Sequence, residues 1–280
     1  MVAISGDGGD ELFGGYPDFQ WWQKIKGVQR YPAALRKATS DATKLLRHVP
    51  LFRRSNKLRQ IDRALTVAAY PESEFGMRIM SMFDDEELER IVDGRSATPN
   101  ATYDLLNAFP PRSRDWSSLR KAMYFRIVHS LPLDMLIKVD RMSMANSLEV
   151  RAPFLDPDLF AASAKIPDDL LIRNGAGKYI IRQLMQQELP QAVFDHPKTG
   201  FSIPLHHYQN NEFSRLADEL LSSSSPLMKL FDPNELERLK TVGLGNKADN
   251  AKVSVYKSSH RLWMVMMLFG WAKRFDVVVE

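Results

Sequence analysis

Twelve residues near the start of the chain carry the densest chemical signal: Ser5-Gly6-Asp7-Gly8-Gly9-Asp10-Glu11-Leu12-Phe13-Gly14-Gly15-Tyr16. Glycines surround two acids at the end of a short apolar run. Glycine lets backbone N–H groups converge on an anion, and Asp7 and Asp10 can hold a hard cation through oxygen. A loop with both features suits a magnesium–polyphosphate complex. The alternative is a glycine-rich turn whose acids cap the following helix.

Three further segments combine charge with turn residues. Leu131 to Asp156 sets Asp134, Lys138, Asp140, Arg141, Glu149 and Arg151 among apolar residues. Charges so placed are costly to bury unless paired, so an internal ion-pair network that fixes helix packing competes with a catalytic reading. Arg173-Asn174-Gly175-Ala176-Gly177-Lys178-Tyr179 reads as a turn opening a helix. A lysine at a helix start opposes the helix dipole, which hints at a nearby anion, although helix-surface charge explains it too. Pro197-Lys198-Thr199-Gly200-Phe201 places one lysine in a loop, where it can reach into a cleft or simply face solvent.

These segments need elements to position them. Met1 to Ile4 reads as a short buried strand, which expects sequence upstream or a place on a sheet edge. Beyond the loop the pattern is helical. Segments Ala33–Leu46, Leu58–Ala69, Asp84–Val92, Lys178–Gln187, Phe213–Ser222, Pro233–Val242 and Ser258–Arg274 are expected helices. Leu119, Met123, Ile127 and Leu131 recur every four residues as one apolar stripe. Loops are expected at 107–113, 196–204 and 243–251, where Pro, Gly and polar residues cluster.

Composition bounds the rest. The 280 residues are 44% hydrophobic and 26% charged, ordinary for a soluble globular chain. The absence of cysteine excludes disulfides, thiolate metal sites and a cysteine nucleophile in this chain. A net charge of +4 with scattered basic residues argues for solvated helix faces over a nucleic-acid partner, including the cluster from Arg30 to Arg63. No signal-peptide pattern opens the chain, and its most apolar window, Leu262–Trp271, is far shorter than the roughly 20 residues that span a bilayer. No membrane partner and a cytoplasmic location are expected.

In this order, the motifs resemble the asparagine synthetase family and its relatives, including β-lactam synthetases. The family pattern is a Ser-Gly-[acid or Tyr]-Gly-x-Asp-Glu loop, matched by Ser5 to Glu11. A Lys-x-Asp-Arg…Leu-Glu-x-Arg-x-Pro-Phe-Leu-Asp block follows, matched from Lys138 to Asp156. Then come Gly-x-x-Lys, ending at Lys178, and the Pro-Lys-x-Gly-Phe loop with Lys198. The resemblance runs from Val2 to at least Leu205.

The resemblance implies a ligase of amino-acid biosynthesis acting in two steps. ATP adenylates a carboxylate with release of pyrophosphate, and ammonia displaces AMP to form an amide. It implies that Asp10 binds Mg2+ with the pyrophosphate and that Asp7 takes up a proton as ammonia attacks. Lys198 would stabilise phosphate charge, and Ser5, Gly6, Gly8, Gly9 and Lys178 would contact the nucleotide. Asp134, Asp140 and Arg151 would be site walls or structural pairs. Asp7 is shorter than the Glu many relatives carry there.

The family's Ser-Gly-Gly-x-Asp-Ser pyrophosphate loop does not occur in this sequence and is expected upstream of Met1. The cysteine-dependent glutaminase domain that supplies ammonia is missing too. The expected fold is mostly α with a short N-terminal strand, the latter part of an α/β ATP-pyrophosphatase-like (adenine nucleotide α-hydrolase-like) domain. The expected layout is one domain piece. Residues 1–30 hold the strand and loop, 31–130 a helical segment, 131–205 the active-site block and 206–280 the C-terminal helices. As an isolated chain it is expected to be inactive. The alternatives are a relative acting on a carboxylate other than aspartate, and a non-catalytic helical fragment. The acid at residue 7 favours an ammonia-using member, because β-lactam synthetases tend to carry Tyr there.

Overall fold

A computed structural model describes residues 1–46, 49, 55–92, 109–195, 205, 211–222, 224–245 and 255–279. The expected loop at 196–204 and most of that at 243–251 lie outside the described residues. Among the described residues the chain is mostly helical with one pair of short strands. Its described residues fall into two compact units. One lies within Met1–Leu45, Asn56–Ile79 and Thr102–Lys198, the other within Leu46–Ser55, Met80–Ala101 and Thr199–Glu280.

The first unit opens with strand β1 (Val2–Ile4), which pairs in parallel with β2 (Glu149–Arg151) so that Ala3 faces Val150. β1 is not the buried strand its composition suggests. Among the described residues the sheet has two strands, so each has one unpaired side, and side chains alternate between its faces. Ala3 and Val150 share the half-buried face, while Val2 and Ile4 are 55% and 79% exposed on the other.

Helix α1 (Gly9–Leu12) follows the loop, and helix α2 (Pro17–Val28) begins with proline at its first turn, where the missing N–H costs nothing. Phe19, Trp22 and Ile25 recur along one face of α2 and are buried. They pack with Val67, Ala68, Phe75, Leu119, Met123 and Phe125, the core of this unit. The apolar stripe from Leu119 to Leu131 is present but changes geometry. Ser118–Phe125 is α-helical, and Arg126–Leu136 continues as a wider π-helix with Pro132 inside it. Proline lacks the N–H an α-helix needs, and the wider turn re-registers the chain around it.

The second unit packs helix Val255–Arg274 against Pro233–Gly243. Leu262, Val265, Met266, Phe269 and Ala272 meet Leu236 and Leu239 there. Helix Asp85–Ile91 begins with a capping box between Asp84 and Glu87, as its acidic start suggested.

Arg261, 7% exposed, pairs with Glu87 and donates 2.7 Å to the Met82 carbonyl. Burial alone would raise the Glu87 pKa, but the hydrogen bond and charge of Arg261, with the hydrogen bond at Asp84 and the charge of Lys257, together hold the carboxyl below its ordinary value. A depressed carboxylate contributes stability above its unfolded pKa and loses it as pH falls through the folded value. Arg261→Leu should therefore destabilise the protein by about 3–5 kcal/mol at neutral pH. In denaturant titrations the deficit should shrink in acid, where Glu87 is protonated. An equal deficit at both pH values would contradict this pairing.

Candidate active site

The loop between β1 and α1 is built so that its acids face outward from a packed base. Gly8 adopts φ 88, a left-handed conformation that favours glycine, and caps α1. A Cβ at Gly8 would collide with Leu155, and one at Gly9 would lie 3.3 Å from the Phe154 ring. Both glycines are buried beneath the Pro153–Leu155 turn, whereas Gly6 is exposed. The Ser5 hydroxyl donates 2.8 Å to Asp7 Oδ2 and fixes that carboxylate. Among the described residues, the N–H groups of Gly6, Asp7 and Gly8 make no hydrogen bond, which leaves three consecutive donors for an outside acceptor.

Lys178 arrives from the other side. Arg173 and Ala176 exchange backbone hydrogen bonds around Asn174 (φ 53) and Gly175 (φ 78), the Asn-Gly pattern of a tight type I′ turn. Gln20 of α2 anchors this turn through the Gly175 carbonyl at 2.8 Å. Gly177 then passes so close to Gly14 that a Cβ would collide with the Gly14 carbonyl oxygen. The Lys178 N–H bonds the Phe13 carbonyl at 3.0 Å, and its ammonium reaches Asp10 Oδ1 at 3.2 Å. The anion suggested by a lysine at a helix start is Asp10. Gly15 is also required, since a Cβ there would collide with the Asp10 carboxylate.

A buried network that the sequence did not reveal supports the loop. Glu11 is 2% exposed and accepts a 2.7 Å hydrogen bond from the Tyr16 hydroxyl. Burial, with the bond to Glu11, pushes the Tyr16 pKa well above its ordinary value, so it stays a donor. Arg126 lies over the Tyr16 ring at 4.5 Å and gives two hydrogen bonds, 3.0 and 2.7 Å, to Asp18 Oδ2. Neither the burial of Glu11 nor the place of Arg126 was cued by residue spacing.

The charged block from Asp134 to Arg151 is not an internal network. Asp134, Lys138, Asp140, Arg141, Glu149 and Arg151 are all exposed. Their pairs, Lys138–Asp134 at 3.6 Å and Arg151–Glu149 at 2.9 Å, are surface pairs, which contribute little. Asp134 lies in the π-helical stretch, Lys138, Asp140 and Arg141 in helix Ile137–Met144 and Glu149 and Arg151 on strand β2, all with their charges in solvent. From this block the Phe154 and Leu155 side chains pack against the loop glycines, and the Arg151 carbonyl accepts 2.8 Å from the Ser5 N–H. Lys198 lies outside the described residues.

The family model for asparagine synthase matches residues 1–273. The chain belongs to the asparagine synthase family. It is 30% identical over 271 residues to asparagine synthetase [glutamine-hydrolyzing] 1 of Bacillus subtilis (strain 168), covering 96% of this chain and 40% of that protein. Against a putative asparagine synthetase [glutamine-hydrolyzing] of Mycobacterium bovis it is 27% identical over 271 residues, 96% of this chain and 39% of the relative. The Gallus gallus asparagine synthetase [glutamine-hydrolyzing] is 33% identical over 96 residues, 33% of this chain and 17% of that protein. The chain thus spans about 40% of the length of the first relatives it matches. No solved structure matches it significantly.

A magnesium ion that arrives with a polyphosphate could be held by the residues of the glycine–acid loop. Among the described residues no group of three His, Asp or Glu could cage a metal. Magnesium with a nucleotide needs only one or two carboxylates, the phosphates supplying the rest. Asp10 beside Lys178 offers that combination, one carboxylate for the metal and one cation for phosphate oxygen. Among the described residues no helix is long and apolar enough to cross a membrane.

Proposed function

We propose that this chain supplies part of the catalytic centre of an ATP-dependent asparagine synthetase of the ammonia- or glutamine-using type, acting in the cytoplasm. One observation carries the reading. Three motifs distant in sequence converge, with Lys178 on Asp10 at 3.2 Å and Phe154–Leu155 packed over Gly8 and Gly9. The parallel β1–β2 pair, with a loop at the C-terminal end of β1, supports the latter part of an ATP-pyrophosphatase-like domain.

In this reading Asp10 and Lys178 grip the magnesium polyphosphate, and the amides of Gly6, Asp7 and Gly8 bind phosphate or carboxylate oxygen. Magnesium, when bound, neutralises the charge of the departing pyrophosphate. Asp7, oriented by Ser5, accepts the proton released as ammonia attacks the activated carboxylate. Tyr16, Glu11 and Arg126 hold the loop in place. Aspartate is the carboxylate substrate, and a glutaminase domain supplies the ammonia. The complete synthetase, given aspartate, ATP, magnesium and ammonium, should form asparagine with AMP and pyrophosphate in equal amounts. ADP and phosphate as products would overturn the reading.

Lys198 enters on its motif alone. A compact ammonium that meets the phosphates chiefly in the transition state cannot be replaced by a planar guanidinium. Lys198→Ala and Lys198→Arg should both lower kcat of the complete enzyme strongly while ATP affinity changes little. Near-normal turnover in Lys198→Ala would return this residue to the solvent.

A further inference from the structure

The first unit holds a second charged site, away from the Asp7–Asp10 loop. An open groove of about 640 Å³ is lined by Lys26, Arg30, Arg36 and Lys121, with Glu72 and Trp116. Lys26 lies about 13 Å along the α2 axis from Pro17, where the active-site loop ends.

The one carboxylate is fully engaged. Glu72 Oε2 accepts from Lys26 at 3.2 Å and Lys121 at 3.0 Å, while Oε1 accepts from the Ser118 hydroxyl at 2.7 Å and the Trp22 indole at 3.3 Å. Burial would raise its pKa, but the hydrogen bonds from Ser118, Lys121, Lys26 and Trp22 prevail and keep it ionised. Glu72 can balance only one of four cations. Asp168, behind the groove's Ser117, is matched by Arg120 at 2.8 Å.

The remaining charge is unanswered. Among the described residues the Arg30 side chain makes no ion pair or hydrogen bond. Arg36 gives one nitrogen to the Ala68 carbonyl, and its Nε is buried with no hydrogen-bond partner. Buried donors are rarely left so, and each unpaired one is costly. Helix Ser118–Phe125 also begins at this groove and adds the positive end of its dipole. An ordinary solvated basic face would have its cations in water, not a guanidinium N–H sealed from it.

We infer that this groove binds a compact polyanion of the phosphate class, held by Arg30, Arg36, Lys26 and Lys121. The inference does not depend on the activity proposed above.

The test is calorimetric titration of the chain with inorganic pyrophosphate, with metal removed by EDTA and ionic strength fixed with KCl. Saturable binding at one site is expected. Arg30→Gln and Lys26→Gln should each weaken it about tenfold, the loss of one charge-assisted hydrogen bond. Lys178→Ala, in the other site, should leave it unchanged. Arg30 is exposed, so its replacement should not disturb folding, and thermal melts of each variant check this. Three results would overturn the inference: no binding beyond that of KCl, unchanged affinity in both groove variants, or binding abolished by Lys178→Ala.

Discussion

Asp10→Asn in the complete synthetase should abolish aspartate-dependent exchange between ATP and pyrophosphate, by about 10²–10³-fold or more. Asp7→Asn should keep most of that exchange and lose the amide-forming step. The two acids sit three residues apart, yet their surroundings differ. Asp10 faces the Lys178 ammonium at 3.2 Å, an arrangement for a metal polyphosphate. Asp7 takes a 2.8 Å bond from Ser5 and has three unused amides around it, a setting for a reacting carboxyl group. A metal ligand acts when pyrophosphate leaves, and a proton acceptor acts when ammonia attacks. Exchange lost equally in both variants would contradict the division of roles.

Gly177→Ala should lower turnover of the complete enzyme by about 10²-fold, although residue 177 carries no chemistry. The added Cβ meets the Gly14 carbonyl oxygen, backbone against backbone, so neither side can rotate away. The turn must lift, breaking the Lys178 N–H bond to Phe13 and drawing the ammonium away from Asp10. Stability should fall by about 1–3 kcal/mol, as for other overpacked contacts. Gly27→Ala is the control. Gly27 lies in α2 with nothing within 4 Å of an added Cβ, so alanine there should stabilise by about 0.5–1 kcal/mol. Wild-type turnover in Gly177→Ala would show that the turn does not position Lys178.

The helices were legible because an amphipathic repeat is local. Phe213–Ser222 and Pro233–Val242 as read differ from Asn211–Leu220 and Pro233–Gly243 as found by a residue or two. The glycine–acid loop was legible for the same reason. What escaped the sequence depends on partners far along the chain. β2 is three residues, Glu149-Val150-Arg151, with no strand signature. It is a strand because the Glu149 N–H reaches the Met1 carbonyl and its Arg151 carbonyl accepts from Ser5. The burial of Glu11 and the Arg126–Asp18 pair likewise follow from packing, not from spacing. The π-helical stretch around Pro132, which holds Asp134 and runs into the helix of Lys138, is encoded by no apolar repeat.

The central claim is that Asp10 and Lys178 act together on one metal polyphosphate. A double-mutant cycle on ATP–pyrophosphate exchange in the complete synthetase measures it, using Asp10→Asn, Lys178→Met and the double variant. If the two groups grip the same ligand, each single change should cost nearly as much as both together. Two independent losses that simply add, or exchange near the wild-type rate in Lys178→Met, would contradict the claim.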